Sequence, residues 1–408
     1  MRKKKHSNPR SRLSVVPLLG AGLLAVTASS WAADGFTGAL TGGKPTFDLR
    51  LRYEGVDQAN ALKDANATTL RLRLGYETGT WQGFGAFVEA ETVTALGGES
   101  YNSTVNGKTN YAVVADPEAT EINQAYLGYA GLPATKLKYG RQRIVLDNHR
   151  FIGNVGWRQN EQTFDAFTLT NASLPQTSIT AGYIFNVNRV FSDKNPQGNF
   201  KMNSPIFNIS YKGWSLGEVV GYGYLLDFAD LAASSTQTYG LRLKGSAPLG
   251  GVKALYAAEY ATQRDYRDNS RDFSLKYYLL EGGVGLAAAE FKLGYEVLGG
   301  NGTVAVQTPL ATLHAMNGWA DQFLTTPATG LKDAYVSAAT TVLGTRLEAI
   351  YHDFRADSGN ARYGTEWDLQ AVKAIDKTYS VGAKYASYNA KSFSVDTDKF
   401  WLWAEAKF

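Results

Sequence analysis

The chain has 408 residues, with 41 Lys+Arg against 37 Asp+Glu, 24 Tyr, 42 Gly and no cysteine. The missing cysteine excludes disulfides, thiolate metal sites and cysteine nucleophiles. Six of the basic residues (Arg2, Lys3, Lys4, Lys5, Arg10 and Arg12) and no acidic ones precede Ala33. Setting them aside leaves 35 basic against 37 acidic side chains, which removes the compositional case for a nucleic-acid partner.

Read from the start, the basic cluster is followed by an apolar stretch from Leu13 to Ala28, interrupted by Pro17, and then by Ser30-Trp31-Ala32. That order is a secretory signal peptide over residues 1–32, cleaved before Ala33. The apolar stretch is shorter than the ~20 residues that a membrane helix needs, and no later segment reaches that length. Residues 33–408 are read as one domain.

From there the pattern has period two. Phe47-Asp48-Leu49-Arg50-Leu51-Arg52-Tyr53-Glu54 alternates apolar and charged residues, and Leu70-Arg71-Leu72-Arg73-Leu74-Gly75-Tyr76-Glu77 repeats it. Such alternation means strands with one apolar and one polar face. Similar segments follow at 81–94, 121–129, 135–145, 164–171, 177–186, 205–211, 215–226, 236–246, 252–262, 272–281, 290–298, 333–343, 345–354, 363–374, 379–388 and 398–408, about eighteen strands in all. Most approach the ~9–11 residues of a tilted membrane strand.

The links alternate in length. Short ones fall at Thr78–Thr80, Ala130–Ala134, Ala172–Gln176, Lys212–Trp214, Ala247–Gly251, Leu343–Gly344 and Ile375–Thr378; the Gly282–Ala289 link is longer than its peers. Between them lie longer links at 55–65, 95–120, 146–163, 187–204, 227–235, 263–271, 299–332, 355–362 and 389–397. The expectation is an all-β fold: an antiparallel transmembrane β-barrel of the bacterial outer membrane, with short periplasmic turns and long extracellular loops. A barrel this wide is expected to enclose an aqueous channel rather than a packed core.

An arginine on the lipid face costs ~2–4 kcal/mol at mid-bilayer, so the charged faces must line the lumen. The expected lumen residues are Arg50, Arg52, Arg71, Arg73, Glu77, Glu89, Glu91, Arg242, Lys244, Arg346, Glu348, Glu366 and Asp368, together with His352. Arginine grips carboxylates through a planar fork, and a ladder of weak sites passes an anion along a pore. Tyr53, Tyr76, Tyr129, Tyr183, Tyr211 and Tyr260 share parity with apolar neighbours, as an interfacial girdle requires. Arg141 and Arg143 share parity with Leu137 and Tyr139, which strict alternation would turn outward. A bulge near Gly140 would re-aim them into the lumen, and Asp165 is placed there too. The long link 299–332 is expected to fold into the mouth and narrow it, its shape held by His314, Trp319 and Asp321.

In the last strand Phe400, Leu402, Ala404, Ala406 and Phe408 form the outward face, and Lys399, Trp401, Trp403, Glu405 and Lys407 the inward one. Its terminal Phe408 is similar to the signal read by outer-membrane assembly machinery.

Four segments resemble the alginate-export porin family. They are Tyr139-Gly140-Arg141-Gln142-Arg143 continuing through Asp147, His149–Gly153, Trp157 and Asn160 to Thr163–Ala166; Thr308–His314 with Asn317–Asp321, Thr326-Pro327 and Gly330-Leu331; Tyr351–Phe354; and Tyr363–Leu369. The resemblance implies an eighteen-stranded outer-membrane barrel, a monomer, that passes an anionic small molecule or a polysaccharide such as alginate or a related uronate. It favours a lumen role for Arg141 and Arg143 near the external mouth.

No cofactor, metal or catalytic group is expected. His149, His314 and His352 lack metal-ligand spacing and have no nucleophile motif beside them. The alternatives are an uptake channel for small organic or aromatic compounds and, in another class, a barrel enzyme acting on lipid.

Overall fold

The computed structural model describes residues 35–408; the signal-peptide expectation for 1–32 lies outside the described residues. Alternating apolar and polar side chains give eighteen strands: β1 Lys44–Gln58, β2 Ala65–Glu77, β3 Phe84–Ala95, β4 Ala119–Tyr129, β5 Thr135–Gln142, β6 Thr163–Asn171, β7 Thr177–Asn188, β8 Asn199–Trp214, β9 Gly217–Leu226, β10 Thr236–Leu249, β11 Val252–Asp265, β12 Ser274–Gly285, β13 Ala289–Leu298, β14 Leu331–Val342, β15 Thr345–Arg355, β16 Arg362–Ala374, β17 Tyr379–Ala390 and β18 Thr397–Lys407. Each matches one expected segment, in order.

Every strand pairs antiparallel with the next. β1 also pairs with β18, from Asp48↔Lys407 to Gln58↔Thr397, and this closes the barrel without a free edge. One residue beyond that ladder the Phe47 amide donates to the Phe408 carbonyl at 2.7 Å, and the Phe408 amide donates back at 3.0 Å.

Boundaries move where glycine and bulges intervene. β12 runs on through Gly282 and Gly283 to Gly285, so the link that looked long becomes three residues, 286–288. β5 stops at Gln142 rather than 145, because there the chain turns into the lumen. β3 starts at Phe84, since Trp81 sits in the preceding turn. The short helix α1, Gly35–Thr41, is an addition; seven residues leave no readable period. It packs on the short-turn end, where the Tyr76 hydroxyl donates to the Leu40 carbonyl at 2.6 Å and Phe36 meets Trp81 edge-on at 5.5 Å.

The outer wall is apolar. Leu51, Leu74, Leu127, Leu241, Leu280, Leu293, Phe400 and Leu402 are exposed on it, and Tyr183, Tyr211 and Tyr260 are exposed with them, while Trp401 on the opposite parity is fully buried. This is the pattern of a wall facing lipid. No helix among the described residues is long and apolar enough to cross a membrane.

The expectation of a wholly water-filled interior fails. The segments 143–162 and 299–330 fold inward and build a packed cluster inside the barrel. Ile152 and Leu310 bridge the two loops, and Phe151, Trp319 and Phe323 pack with Phe354, Tyr388 and Trp401 of the wall. Burying such side chains contributes about 1.5–3 kcal/mol each, so the loops are part of the core.

Candidate functional site

The inward loops are held by a buried hub of charge. Arg158, on the first loop, donates to both Glu54 carboxylate oxygens at 3.2 and 2.9 Å and to Asp321 of the second loop at 3.2 Å. Asp321 also takes Lys399 Nζ of β18 at 2.7 Å and His314 Nδ1 at 2.8 Å. A third loop, 96–118, reaches the hub through Asp116, which pairs with Arg52 and accepts the Gln159 amide at 2.9 Å. Burial holds the His314 ring down to about 3, against the pull of Asp321 and aided by Lys384. The ring is therefore neutral, so Nδ1–H donates to Asp321 and Nε2 accepts from Lys384 Nζ at 3.2 Å. For Asp321 burial pushes upward, but Lys399, His314 and Arg158 outweigh it and hold the carboxyl well below its usual range.

A second anchor sits on β14–β16. The Trp319 amide donates to Asp368 at 3.1 Å and the Ala320 amide to Glu366 at 2.6 Å. Gly318 makes this approach possible: its φ is +87°, and a Cβ there would lie 2.4 Å from a Glu366 oxygen. His352 bridges Asp333, 2.8 Å from Nδ1, and Asp368, 3.5 Å from Nε2.

The expected residues therefore divide. Arg52, Arg71, Arg73, Glu89, Glu91, Arg242, His352, Glu366 and Asp368 do face inward, but all are buried, so they are corrected from pore-lining groups to anchors. Arg71 pairs with Asp48 at 2.5 Å and Glu405 at 3.2 Å, Arg73 with Glu91, and Arg242 with Glu259 at 3.7 Å. His314, Trp319 and Asp321 lie on the inward loop, where His314 bonds Asp321 and the Trp319 amide bonds Asp368. Arg50 and Arg143 keep side-chain exposures of 11% and 35% while pairing with Glu405 and with Glu89 and Glu161. Lys244 is exposed and Arg346 and Glu348 are half-buried on the inward face, and Glu77 is exposed at the short-turn mouth. Among the described residues neither Lys244 nor Arg346 forms an ion pair.

Arg141 and Asp165 are not lumen groups. Gly140 has φ +124°, yet alternation continues through it: Gln142 is buried inside with Thr168, and Arg141 stays outward. Arg141 sits opposite Asp165 and grips it at 2.8 and 3.3 Å, while Asn188 donates to Asp165 at 3.2 Å. The pair neutralises itself on the outer wall. Arg143, beyond the end of β5, turns inward.

Arg158 and Asp116 carry the hub, and Glu161 pairs beside it with Arg73 and Arg143; none of the three is among the residues expected from the pattern of alternation. The polar run Arg158-Gln159-Asn160-Glu161-Gln162 after Trp157 was the available signal, since a loop that dense in hydrogen-bonding groups must satisfy them when buried.

The family model for Alginate export matches residues 46–177. Of the four resembling segments only the first falls in that span; those around His314, Tyr351 and Tyr363 lie beyond it. Among solved structures, Acinetobacter baumannii OccAB4 is similar at TM-score 0.75 and 16% identity, covering 90% of this chain and 98% of its own. Pseudomonas aeruginosa OpdK with vanillate is similar at TM-score 0.74 and 15% identity, covering 91% and 100%. Pseudomonas aeruginosa OpdL gives 0.68 at 18% identity, covering 90% and 99%. This chain is an outer-membrane β-barrel of the porin fold. Its short turns gather at one end of the cylinder and its long links at the other. Among curated proteins, no sequence matches it significantly.

Proposed function

We propose that this barrel is a passive outer-membrane channel for small organic solutes bearing a carboxylate. The observation that carries the reading is the arrangement of cations on the open side of the packed loops. Arg143, Lys244 and Arg346 keep part of their surface free on the inward face, where a guanidinium or ammonium can pair briefly with a passing anion. The packed loops favour compact solutes over a wide stream of water. The OpdK structure with vanillate, an aromatic carboxylate, supports the same class.

A second reading, passage of a uronate polymer, rests on the Alginate export match over residues 46–177.

Planar-bilayer recording separates the two. Current that favours anions and is blocked by small aromatic or aliphatic carboxylates supports the first reading; block by oligouronates alone supports the second. Lys244→Gln with Arg346→Gln should move the reversal potential toward cations, because neither residue holds a partner. A non-conducting protein that hydrolyses lipid would sink both readings.

A further inference from the structure

At the extracellular rim of the outer wall, three cations stand on adjacent strands. Lys332 of β14 lies opposite Arg355 of β15, and Arg355 lies opposite Arg362 of β16 across a bulge. Opposed residues on neighbouring strands are ~5 Å apart, so the three form one row. All share the outward face with Val336 and Trp367, which are exposed to lipid.

Two carboxylates stand among them. Asp353 is gripped by both arginines, by Arg355 at 3.1 and 3.2 Å and by Arg362 at 3.3 and 2.9 Å. Asp357 takes Lys332 at 3.2 Å. Three cations against two carboxylates leave one positive charge in excess. The arginine side chains also remain 61% and 46% exposed, so their outer N–H groups stay free. Exposed pairs like these contribute only about 0–1 kcal/mol to stability, and holding the barrel together does not account for the cluster. At the same rim Arg141 faces a single aspartate and leaves no excess.

Directly below, toward mid-membrane, Tyr351 and Trp367 pack at 4.9 Å. Rings at this depth mark the boundary between acyl chains and headgroups. The row of cations therefore sits at headgroup height in the outer leaflet, continuous with the lipid-facing belt.

We propose that Lys332, Arg355 and Arg362 bind the phosphate of an outer-leaflet glycolipid of the lipopolysaccharide type, whose acyl chains lie on the aromatic wall below. Two arginines side by side, with N–H groups that Asp353 does not fill, offer planar forks that match phosphate geometry. The site is on the outside of the barrel and does not depend on what the lumen carries.

The test uses the full barrel in mild detergent, with EDTA present so that divalent cations do not bridge phosphates. Binding of bisphosphorylated lipid A is read by native mass spectrometry. Arg355→Gln with Arg362→Gln should lower binding about tenfold or more, while Lys108→Gln on a distant loop leaves it unchanged. Asp353→Asn frees both guanidinium groups and should raise binding, an effect of opposite sign that misfolding cannot mimic. Heat-modifiable migration on gels reports that each variant is folded. Equal binding by the double variant, equal binding of a phosphate-free lipid A, or displacement by phosphatidylglycerol at equal concentration overturns the proposal.

Discussion

Trp157 lies flat on His314, with ring centroids 4.6 Å apart and planes 3° from parallel. One ring belongs to the loop 143–162 and the other to 299–330, so the stack couples the two segments that fill the lumen. It requires a neutral imidazole, because Lys384 Nζ faces Nε2 and also lies 4.0 Å from the Trp157 ring centre.

This makes the loops sensitive to acid. The latched His314 is held at about 3, whereas a released ring titrates near its ordinary 6.5. A lowered pKa in the packed state means that protons bind the released state better, so the latch weakens as pH falls from about 6.5 toward 3, by up to about tenfold per pH unit. Asp321, Asp116 and Glu161 are depressed carboxylates; their contribution is present above the ordinary carboxylate range and is lost only below it. Single-channel conductance should rise or become noisy between pH 6.5 and 4, and His314→Gln should flatten that dependence. A trace unchanged from pH 7 to 4 would contradict the latch.

Replacing Arg158 with methionine strips Glu54, Asp116 and Asp321 of a shared partner. Leaving buried charges unpaired costs about 3–5 kcal/mol, and the cost falls on the loops rather than on the strand ladder. The expected result is a barrel that still migrates as folded but conducts more and is cut by protease within 143–162. Global unfolding would show that the hub also supports the wall.

Arg71 and Lys244 should behave differently although both face inward. Arg71 is fully covered by Asp48 and Glu405, so Arg71→Gln should lower thermal stability by a few kcal/mol with little change in ion selectivity. Lys244 has no ion pair among the described residues, and its removal should do the reverse. Paired melting curves and reversal potentials check both at once.

The Phe47 and Phe408 rings stack at 4.6 Å, 16° from parallel, over two mutual backbone hydrogen bonds. Phe408→Ala should cost the finished barrel only about 0.5–1.5 kcal/mol. If the same side chain is the assembly signal, insertion in cells should fall far more than refolding in detergent. Equal losses in both would leave Phe408 a packing residue alone.

The wall was legible residue by residue, because alternation has one meaning when every apolar face meets lipid. Arg50, Arg52, Arg71 and Arg73 could be assigned inward from the cost of the opposite choice. The burial of Arg52, Glu54 and Arg73 could not be read, since Asp116, Arg158 and Glu161 come to them from loops 96–118 and 143–162, whose inward path follows from long-range pairing rather than local pattern. Arg141 shows the converse error. Alternation placed it outward correctly, and a bulge was invoked to avoid a lipid-facing charge, whereas Asp165 on the adjacent strand neutralises it in place.

The partners of the Arg158 hub come from opposite ends of the chain: Glu54 from β1, Lys399 from β18, and Asp116 and Asp321 from loops far apart in sequence. β1 and β18 are neighbours only once the cylinder has closed, with Val56 opposite Lys399. The hub therefore has no complete set of ligands until closure. Closing the cylinder and filling it are thereby tied together, since the seam that joins the two ends of the chain also brings Lys399 to Asp321 and Glu54 to Arg158.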